Sequence, residues 1–439
     1  MKFLWIGIYL VNLIAVGFLW KTGLSGVFPQ TSGQTLIAIG DLAGLIAAYS
    51  LLWQLLLMSR LWPLDRAFGR LELTALHRKN GYIAFGFLII HPILLTLGYA
   101  SNSNLGLAHQ FIQFITSFQD VWKALVALIL IVTSVTASVT IARRYLSYEA
   151  WYLIHITSYL SVLLAFGHQL SVGEDFINRP IAAIYWYALY VLVAASIVVF
   201  RVLQPLFQSY KHRFVVSQVI SEAKGITSII ITGRNMEGFR FQPGQFANWR
   251  FLAPTIWFES HPFSISQEYN GHSLRLSVKG VGGYTRHLSQ LSVGTQVIIE
   301  GPHGRFTPNL RTKPDVLLIA GGIGVTPLRA LLDTFLREKA DVFLLYRARN
   351  SEELAFTKEL EALVNRYPSF KLKYLLDADL PSIDGHGVIT VNTLREQIPD
   401  VQTREVFLCG PPALLISLRT MLTEIGVPPA LQHEEHFAY

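Results

Sequence analysis

Six long apolar runs crowd the first 205 residues of this 439-residue chain, and they constrain its architecture before any motif is considered. They fall at about Phe3–Trp20, Gln34–Met58, Gly81–Tyr99, Val121–Ile141, Trp151–Leu170 and Pro180–Phe200. About 20 helical residues cross a hydrocarbon core of about 30 Å, so each run is long enough to span. The first run follows Lys2, exceeds a signal-peptide core and lacks an obvious small-residue cleavage site, so it reads as a retained span. Only 15% of the chain is charged, against about 25% in average soluble domains. The apolar excess is confined to this half, and residues 206–439 have ordinary globular composition. Length suggests about three domains.

The charges give an orientation. Arg60, Arg66, Arg70, Arg78 and Lys79 lie between spans two and three, Arg143 and Arg144 between four and five, and Arg201, Lys211 and Arg213 after six. The opposite loops hold only Lys21 and Arg179, and residues 99–120 hold no Lys or Arg. Cytoplasmic loops carry the excess of basic residues, so a multi-pass protein of the cell membrane with both termini cytoplasmic is expected. The net charge of +7 follows from this clustering and does not point to nucleic acid. The single cysteine, Cys409, excludes an intramolecular disulfide framework and a cysteine metal cluster.

Four of the five histidines in the apolar half form two pairs: His77 with His91, fourteen residues apart, and His155 with His168, thirteen apart. Either interval spans about 20 Å of helix. Spans three and five run parallel, so His77 and His155 share an inner depth, and His91 and His168 an outer one. Ionisable groups at membrane depth are costly and functional by default, and imidazole commonly holds haem iron. The quartet therefore predicts two b-type haems, one near each face. A thirteen-residue step rotates by about 220°, so His155 and His168 cannot face one seam of an ideal helix. Span five should carry a kink, a π-bulge or a different ring orientation. Arg78, Arg143 and Arg144 either obey the charge rule alone or also pair with haem propionates.

The second half splits by pattern. Phe214–Val219, Thr227–Ile231, Phe246–Phe251, Ser273–Val278 and Gln296–Glu300 read as strands of a small antiparallel β-barrel over residues 206–310. Residues 311–439 alternate strands (Val316–Ala320, Val342–Tyr346, Lys371–Leu376, Val406–Cys409) with helices (Pro327–Lys339, Glu352–Arg366), which implies a doubly wound α/β sheet.

Candidate sites follow the strand ends. His261-Pro262-Phe263-Ser264 reads as a flavin site or as an ordinary strand start. Val278 and Lys279 end a strand before Gly282 and Thr285, where bare backbone amides suit a pyrophosphate. Gly301-Pro302-His303-Gly304 is a further turn. Ala320-Gly321-Gly322-Ile323-Gly324-Val325-Thr326-Pro327 follows the first strand of the α/β region and opens a helix, the setting of a nucleotide-phosphate loop. Arg347 and Arg349 follow the second strand. There they either hold a ribose 2′-phosphate, favouring NADPH over NADH, or pair with Glu352 or Glu353. Cys409-Gly410-Pro411 ends the last strand, with Cys409 either a core thiol or a neighbour of the nicotinamide ring. The tail offers Phe437, with Tyr439 as runner-up, to cover a flavin ring.

Together these residues resemble the ferric reductase and NADPH oxidase superfamily in its bacterial form, over nearly the whole chain. Leu76-His77-Arg78 and His91-Pro92 are similar to its third-span region, and Tyr148-Glu149-Ala150-Trp151 with His155 and His168 to its fifth. His261-Pro262-Phe263-Ser264, Ala320–Leu328, Cys409-Gly410-Pro411 and Glu435-His436-Phe437 resemble its flavin, nicotinamide and terminal motifs. The resemblance implies a ferredoxin-NADP reductase-like second half binding FAD and NADPH, with Cys409, Glu435 and Phe437 at its reactive end. It implies electron transfer through two haems to an outer acceptor. In animal members a further histidine lies one turn beyond the outer ligand; Leu95 stands there in this chain. Oxygen giving superoxide is the favoured acceptor and a ferric chelate the rival. A donor subunit for an extracytoplasmic redox partner is the other class considered. Lipid surrounds the bundle, and self-association is left open.

Overall fold

The computed structural model describes residues 1–24, 29–139, 145–173, 176, 179–383 and 386–436. The chain forms two compact units, Met1–Arg201 and Val202–Tyr439, and each is described by itself.

The first unit is helical: α1 Lys2–Gly23, α2 Ser32–Leu57, α3 Trp62–Phe68, α4 Arg70–Ser103, α5 Leu107–Ser117, α6 Val121–Ser138, α7 Tyr148–Ser171 and α8 Pro180–Ile197. Among the described residues, six helices are long and apolar enough to cross a membrane. The α2 start is a capping box: the Gln34 amide donates to Thr31 Oγ1 at 3.1 Å, and Gln34 Oε1 accepts from the Thr31 amide at 3.2 Å. Two short helices went unread. Trp62–Phe68 has Pro63 in its first turn, and Leu107–Ser117 sits in what reads as a polar outer loop. The third span is longer than its apolar run. α4 begins at Arg70, so His77, N-terminal to the expected start at Gly81, lies on the same helix as His91.

α2 and α4 pack at glycine distance. A Cβ on Gly40 would come within 2.9 Å of Leu95 Cδ2, one on Gly44 within 2.6 Å of His91 Nδ1, and one on Gly98 within 2.7 Å of the Gly33 carbonyl oxygen. In a bundle without a hydrophobic drive between helices, such small residues let backbones approach.

In the second unit, α9 (Gln204–His212) leads into β1 Val215–Ala223, β2 Ile226–Thr232, β3 Phe246–Phe251, β4 His261–Ser264, β5 Leu274–Lys279, the short α10 Gly283–His287 and β6 Val297–His303. These strands form two antiparallel sheets, β1-β2-β5 and β4-β3-β6. Isolated bridges Val215–Gln296 and Ile265–Leu276 join their edges and close the barrel. Inward residues such as Ile229, Ile231, Trp249, Phe251 and Leu276 are buried.

The chain then alternates β7 Asp315–Gly321, α11 Val325–Arg337, β8 Asp341–Ala348, α12 Thr357–Arg366, β9 Phe370–Leu376, the small hairpin β10 Ser382–Ile383 and β11 His386–Gly387, α13 Val391–Gln397, β12 Glu405–Gly410, α14 Pro412–Ile425 and β13 Gln432–His436. The five-stranded parallel sheet runs β13-β12-β7-β8-β9. Its two faces are sorted by strict alternation. Val316, Leu318 and Ala320 pack toward α11 and α12, while Leu317 and Ile319 pack toward α13 and α14. Each of these valine, leucine and isoleucine side chains contributes about 1.5–3 kcal/mol on burial.

The fifth strand was not read, because Gln-His-Glu-Glu-His carries no apolar alternation. Glu405 makes it a strand. This fully buried carboxylate accepts from His433 Nε2 at 2.7 Å, from the Lys313 amide at 2.8 Å and from the Thr312 amide. Burial alone would raise its pKa, but these donors hold it below the usual carboxylate range. Replacing Glu405 by Ala leaves those donors unpaired. It should cost about 2–4 kcal/mol and speed amide exchange in Gln432–His436; exchange unchanged from wild type would contradict this anchoring.

Candidate functional site

The quartet is built from three helix contacts. His77 and His155 face each other with ring centroids 6.2 Å apart. His91 and His168 line one cavity of about 230 Å³. The ring nitrogens are already sorted. His91 Nδ1 lies 2.8 Å from the Gly40 carbonyl oxygen and His77 Nδ1 lies 3.3 Å from that of Gln54. A carbonyl only accepts, so Nδ1 carries the proton and Nε2 keeps its lone pair. His155 is held differently, by hydroxyls that can donate or accept. Its Nδ1 lies 3.2 Å from both Ser134 Oγ and Ser138 Oγ of α6, and Ser138 Oγ itself donates to the Ser134 carbonyl at 2.8 Å. His168 Nδ1 is buried without a well-formed hydrogen bond.

Of the three devices expected in span five, the π-bulge is absent from the described residues of α7. α7 is α-helical from Tyr148 to Ser171, and a π-helical turn occurs instead at Val198–Leu203. Ring orientation is the alternative the structure supports. The His155 ring stacks on Trp151, 5.2 Å away and 20° from parallel, and is held from α6.

The residues that orient the histidines were not foreseen. Gln54 Oε1 accepts from Asn80, which also donates to the Ser50 carbonyl. Gly40 and Gly44 form a G-x-x-x-G stripe visible in the sequence, and that signal would have marked the seam. α5 brings Phe111 and Phe114 into the cavity wall, and Phe118, the residue that follows α5, lines it too, with Leu95, Asp41, Thr96, Tyr99 and Gln169. Arg78 is exposed, while Arg143 and Arg144 lie outside the described residues.

In the barrel, the two proposed flavin motifs meet. The His261 ring on β4 lies 4.0 Å from that of Tyr284 on α10, and Phe263 stacks parallel to Tyr284 at 6.4 Å. Glu259 Oε2 pairs with His261 Nε2 at 2.9 Å. Ser264 and Val278 are buried, Pro262 is exposed, and Trp249 Nε1 donates to the Phe263 carbonyl at 2.9 Å. Thr285 Oγ1 accepts from the amides of Val281 and Gly282, at 3.0 and 2.9 Å, which shapes the glycine turn. Lys279 is engaged by Glu353 at 2.6 Å.

The α/β motifs also converge. β12 pairs with β7 so that Cys409 lies opposite Ala320, and β13 pairs with β12 so that Glu435 lies opposite Cys409. Gly322 has φ +54°, and a Cβ on Gly324 would stand 2.1 Å from the Cys409 carbonyl oxygen. Gly324 is therefore a close-packing glycine, as are Gly321 and Gly410, which touch each other across the strands. Thr326 Oγ1 donates to the Ile323 carbonyl, and Thr326 and Pro327 are buried at the start of α11. Pro411 caps α14. Cys409 is fully buried, and burial pushes its thiol well up. Arg349 is exposed. The alternative considered for Arg347, a pair with Glu352 or Glu353, is not the one it makes: Lys224 and Lys279 pair with those carboxylates. Arg347 binds Asp377 instead, at 2.8 Å. Phe437 and Tyr439 lie outside the described residues.

Residues 43–166 match the family "Ferric reductase like transmembrane component", 220–307 match "FAD-binding domain" and 318–419 match "Oxidoreductase NAD-binding domain". The chain has the architecture of the ferric reductase and NADPH oxidase superfamily. It is a multi-pass membrane protein whose domains are those of an oxidoreductase. It is 28% identical to a flavohemoprotein of Rhizobium meliloti over 52% of this chain and 60% of that one. It is 31% identical to NADH-cytochrome b5 reductase 1 of Kluyveromyces lactis over 38% and 63%. The chain thus spans about six tenths of the length of these curated relatives. Among solved structures it is similar to the flavohem-like FAD/NAD binding domain of nitric oxide dioxygenase from Vibrio cholerae, at 27% identity over 51% of this chain and 97% of that one, with TM-score 0.45.

Glu435 gives this architecture a pH signature. Desolvation pushes its carboxyl from 4.5 up to about 7. The folded chain therefore keeps a proton that the unfolded chain has released. The resulting stability is full below 4.5 and is lost as pH rises to about 7. The effect has a ceiling of about 3 kcal/mol. Urea midpoints at several pH values should fall across this window in the wild type and lose that component in Glu435→Gln; identical slopes would contradict the assignment.

Proposed function

We propose that this chain moves electrons from a cytoplasmic reduced nicotinamide, through FAD and two b-type haems, to an acceptor at the outer membrane face. The observation that carries this reading is the sorting of the histidines. His77 and His91 on α4 have Nδ1 tied to a helix carbonyl and Nε2 left as a lone pair, while His155 on α7, its ring 6.2 Å from that of His77, has Nδ1 engaged by two serine hydroxyls. Metal-bound histidine has this second-shell pattern, with the other ring N–H given to a carbonyl or hydroxyl. His168, with its buried Nδ1 lacking a well-formed bond, completes the outer pair.

His77 with His155 would hold the inner haem and His91 with His168 the outer one. His261, Pro262, Phe263, Ser264, Val278, Lys279, Gly282 and Thr285 would hold FAD, with Phe437 covering it. Gly321, Gly322, Gly324, Thr326, Pro327, Arg347, Arg349, Gly410 and Pro411 would hold the nicotinamide dinucleotide. When bound, these groups supply hydride acceptance and one-electron transfer, the chemistry the polypeptide lacks. The protein's own part is placement and proton control. The Cys409 thiol stays protonated and offers an unreactive wall, and Glu435 holds a proton close to neutral pH.

Oxygen is the favoured acceptor. Leu95 and the aromatic wall from α5 give the cavity beside His91 and His168 an apolar lining. No group of three His, Cys, Asp or Glu residues suited to an iron site occurs among the described residues. The basic loops support cytoplasmic termini in a plasma membrane.

Purified chain should carry two haems, and His91→Ala or His168→Ala should lose about one of them while anaerobic flavin reduction by NADPH stays within about twofold. Gly44→Ala, which crowds His91, should lower outer haem occupancy in the same direction. Haem content unchanged in the histidine variants, or a chain that purifies colourless with ample iron, would overturn the proposal. Cytochrome c reduction abolished by superoxide dismutase identifies oxygen as the acceptor. Ferric-chelate reduction under nitrogen identifies the rival, and turnover only with an added extracytoplasmic protein identifies a donor subunit.

A further inference from the structure

The C-terminal end of β8 is where a doubly wound sheet meets the adenosine ribose of a dinucleotide, and an arginine there accommodates a 2′-phosphate. This chain offers two, Arg347 and Arg349, but they are not equivalent. Arg347 pairs with Gly321 of β7 across the sheet, so it stands beside the phosphate loop. One arm of its guanidinium is already engaged: Nη2 is ion-paired with Asp377 Oδ1 at 2.8 Å and donates to the Gly387 carbonyl at 2.9 Å. Arg349 is exposed two residues on.

We propose that Asp377 is a specificity-determining residue that withholds Arg347 from a 2′-phosphate and so shifts this chain toward NADH. The inference rests on the reading that the second unit takes a nicotinamide dinucleotide. Three facts make Asp377 a fixed gate. It follows β9 in a tight turn that Asp379 caps by accepting from the Leu376 amide at 3.0 Å. Its backbone is wedged against Gly387, where a Cβ would stand 2.6 Å from Asp377 Cα. Both partners are largely shielded from solvent, with side-chain exposures of 21% for Arg347 and 16% for Asp377, so water screens the pair weakly. A 2′-phosphate would have to break this pair and also approach the Asp377 carboxylate, a like charge. NADH presents only a ribose hydroxyl there and meets neither cost. With Asp377 neutral, Arg347 regains a planar fork suited to a phosphate.

The test is anaerobic flavin reduction by the full-length holoprotein with NADH and with NADPH. Asp377→Asn should raise kcat/KM for NADPH about tenfold through KM, leaving NADH within about twofold. Adding Arg347→Ala to Asp377→Asn should abolish that gain. Inhibition by 2′-phospho-AMP relative to 5′-AMP should tighten in Asp377→Asn, a readout independent of turnover. Gly387→Ala, which pushes on Asp377 without changing charge, should shift the ratio the same way if Asp377→Asn folds poorly. An NADPH to NADH ratio unchanged within twofold in Asp377→Asn, or a gain that survives Arg347→Ala, would overturn the proposal. Normal reduction by both nucleotides with no change in ratio sinks this inference alone. Flavin that neither nucleotide reduces overturns the parent reading as well.

Discussion

The hydrogen bond from His91 Nδ1 to the Gly40 carbonyl is the contact on which the membrane unit depends. A helix carbonyl is normally spent on the amide one turn ahead, and its second lone pair faces outward. For an imidazole on a neighbouring helix to use it, the two backbones must come closer than ordinary side chains allow. Glycine at positions 40 and 44 of α2 removes the obstruction, since a Cβ at Gly44 would occupy the space of the His91 ring. One small-residue seam thus sets helix spacing, ring orientation and protonation state together. The inner pair is oriented with other materials: the Gln54 carbonyl for His77, and the hydroxyls of Ser134 and Ser138 on α6 for His155.

The second unit solves a different problem, which is to hold a barrel against a parallel sheet so that motifs from both lie in fixed places. Charged groups do much of this. Arg275 of β5 binds Glu359 of α12, which also binds Arg329 of α11, while Glu268 binds Arg337 and Thr334 of α11. Glu359 and Glu268 each take two partners, so partly buried charge on the two elements is shared in a network rather than in isolated pairs. Lys279 belongs to this bracing through Glu353. A lysine at a glycine-rich strand end is thereby shared between structure and the pyrophosphate role suggested for it. Glu405 plays the matching part at the sheet edge, turning a polar tail segment into β13.

The legible part of this molecule is what local periodicity encodes. The six apolar runs, the barrel strands and the alternating strands and helices of residues 315–410 follow from side-chain period and turn chemistry. The four histidines stood out because imidazole is conspicuous among leucines. The unread elements are those whose reason is a distant partner. Gln432–His436 becomes a strand because a buried carboxylate 28 positions upstream needs His433. Leu107–Ser117 becomes a helix because its phenylalanines find a cavity wall. Arg347 looked available from its position, yet Asp377, thirty residues later, neutralises it.

What the sequence by itself determined, then, is the order of parts: a six-span bundle bearing paired histidines, a barrel, and a nucleotide-type sheet with its glycine loop. Those assignments rest on hydrophobic period and on residues whose chemistry is read one at a time. Only the tertiary structure decided which nitrogen of His77 and His91 carries the proton, which glycines are spacers between backbones and which shape a turn, and which arginine is already ion-paired. These depend on acceptors and counter-charges tens to hundreds of residues away. Hydrogen bonds and ion pairs act over a few ångströms of space, and separation along the chain does not register in them.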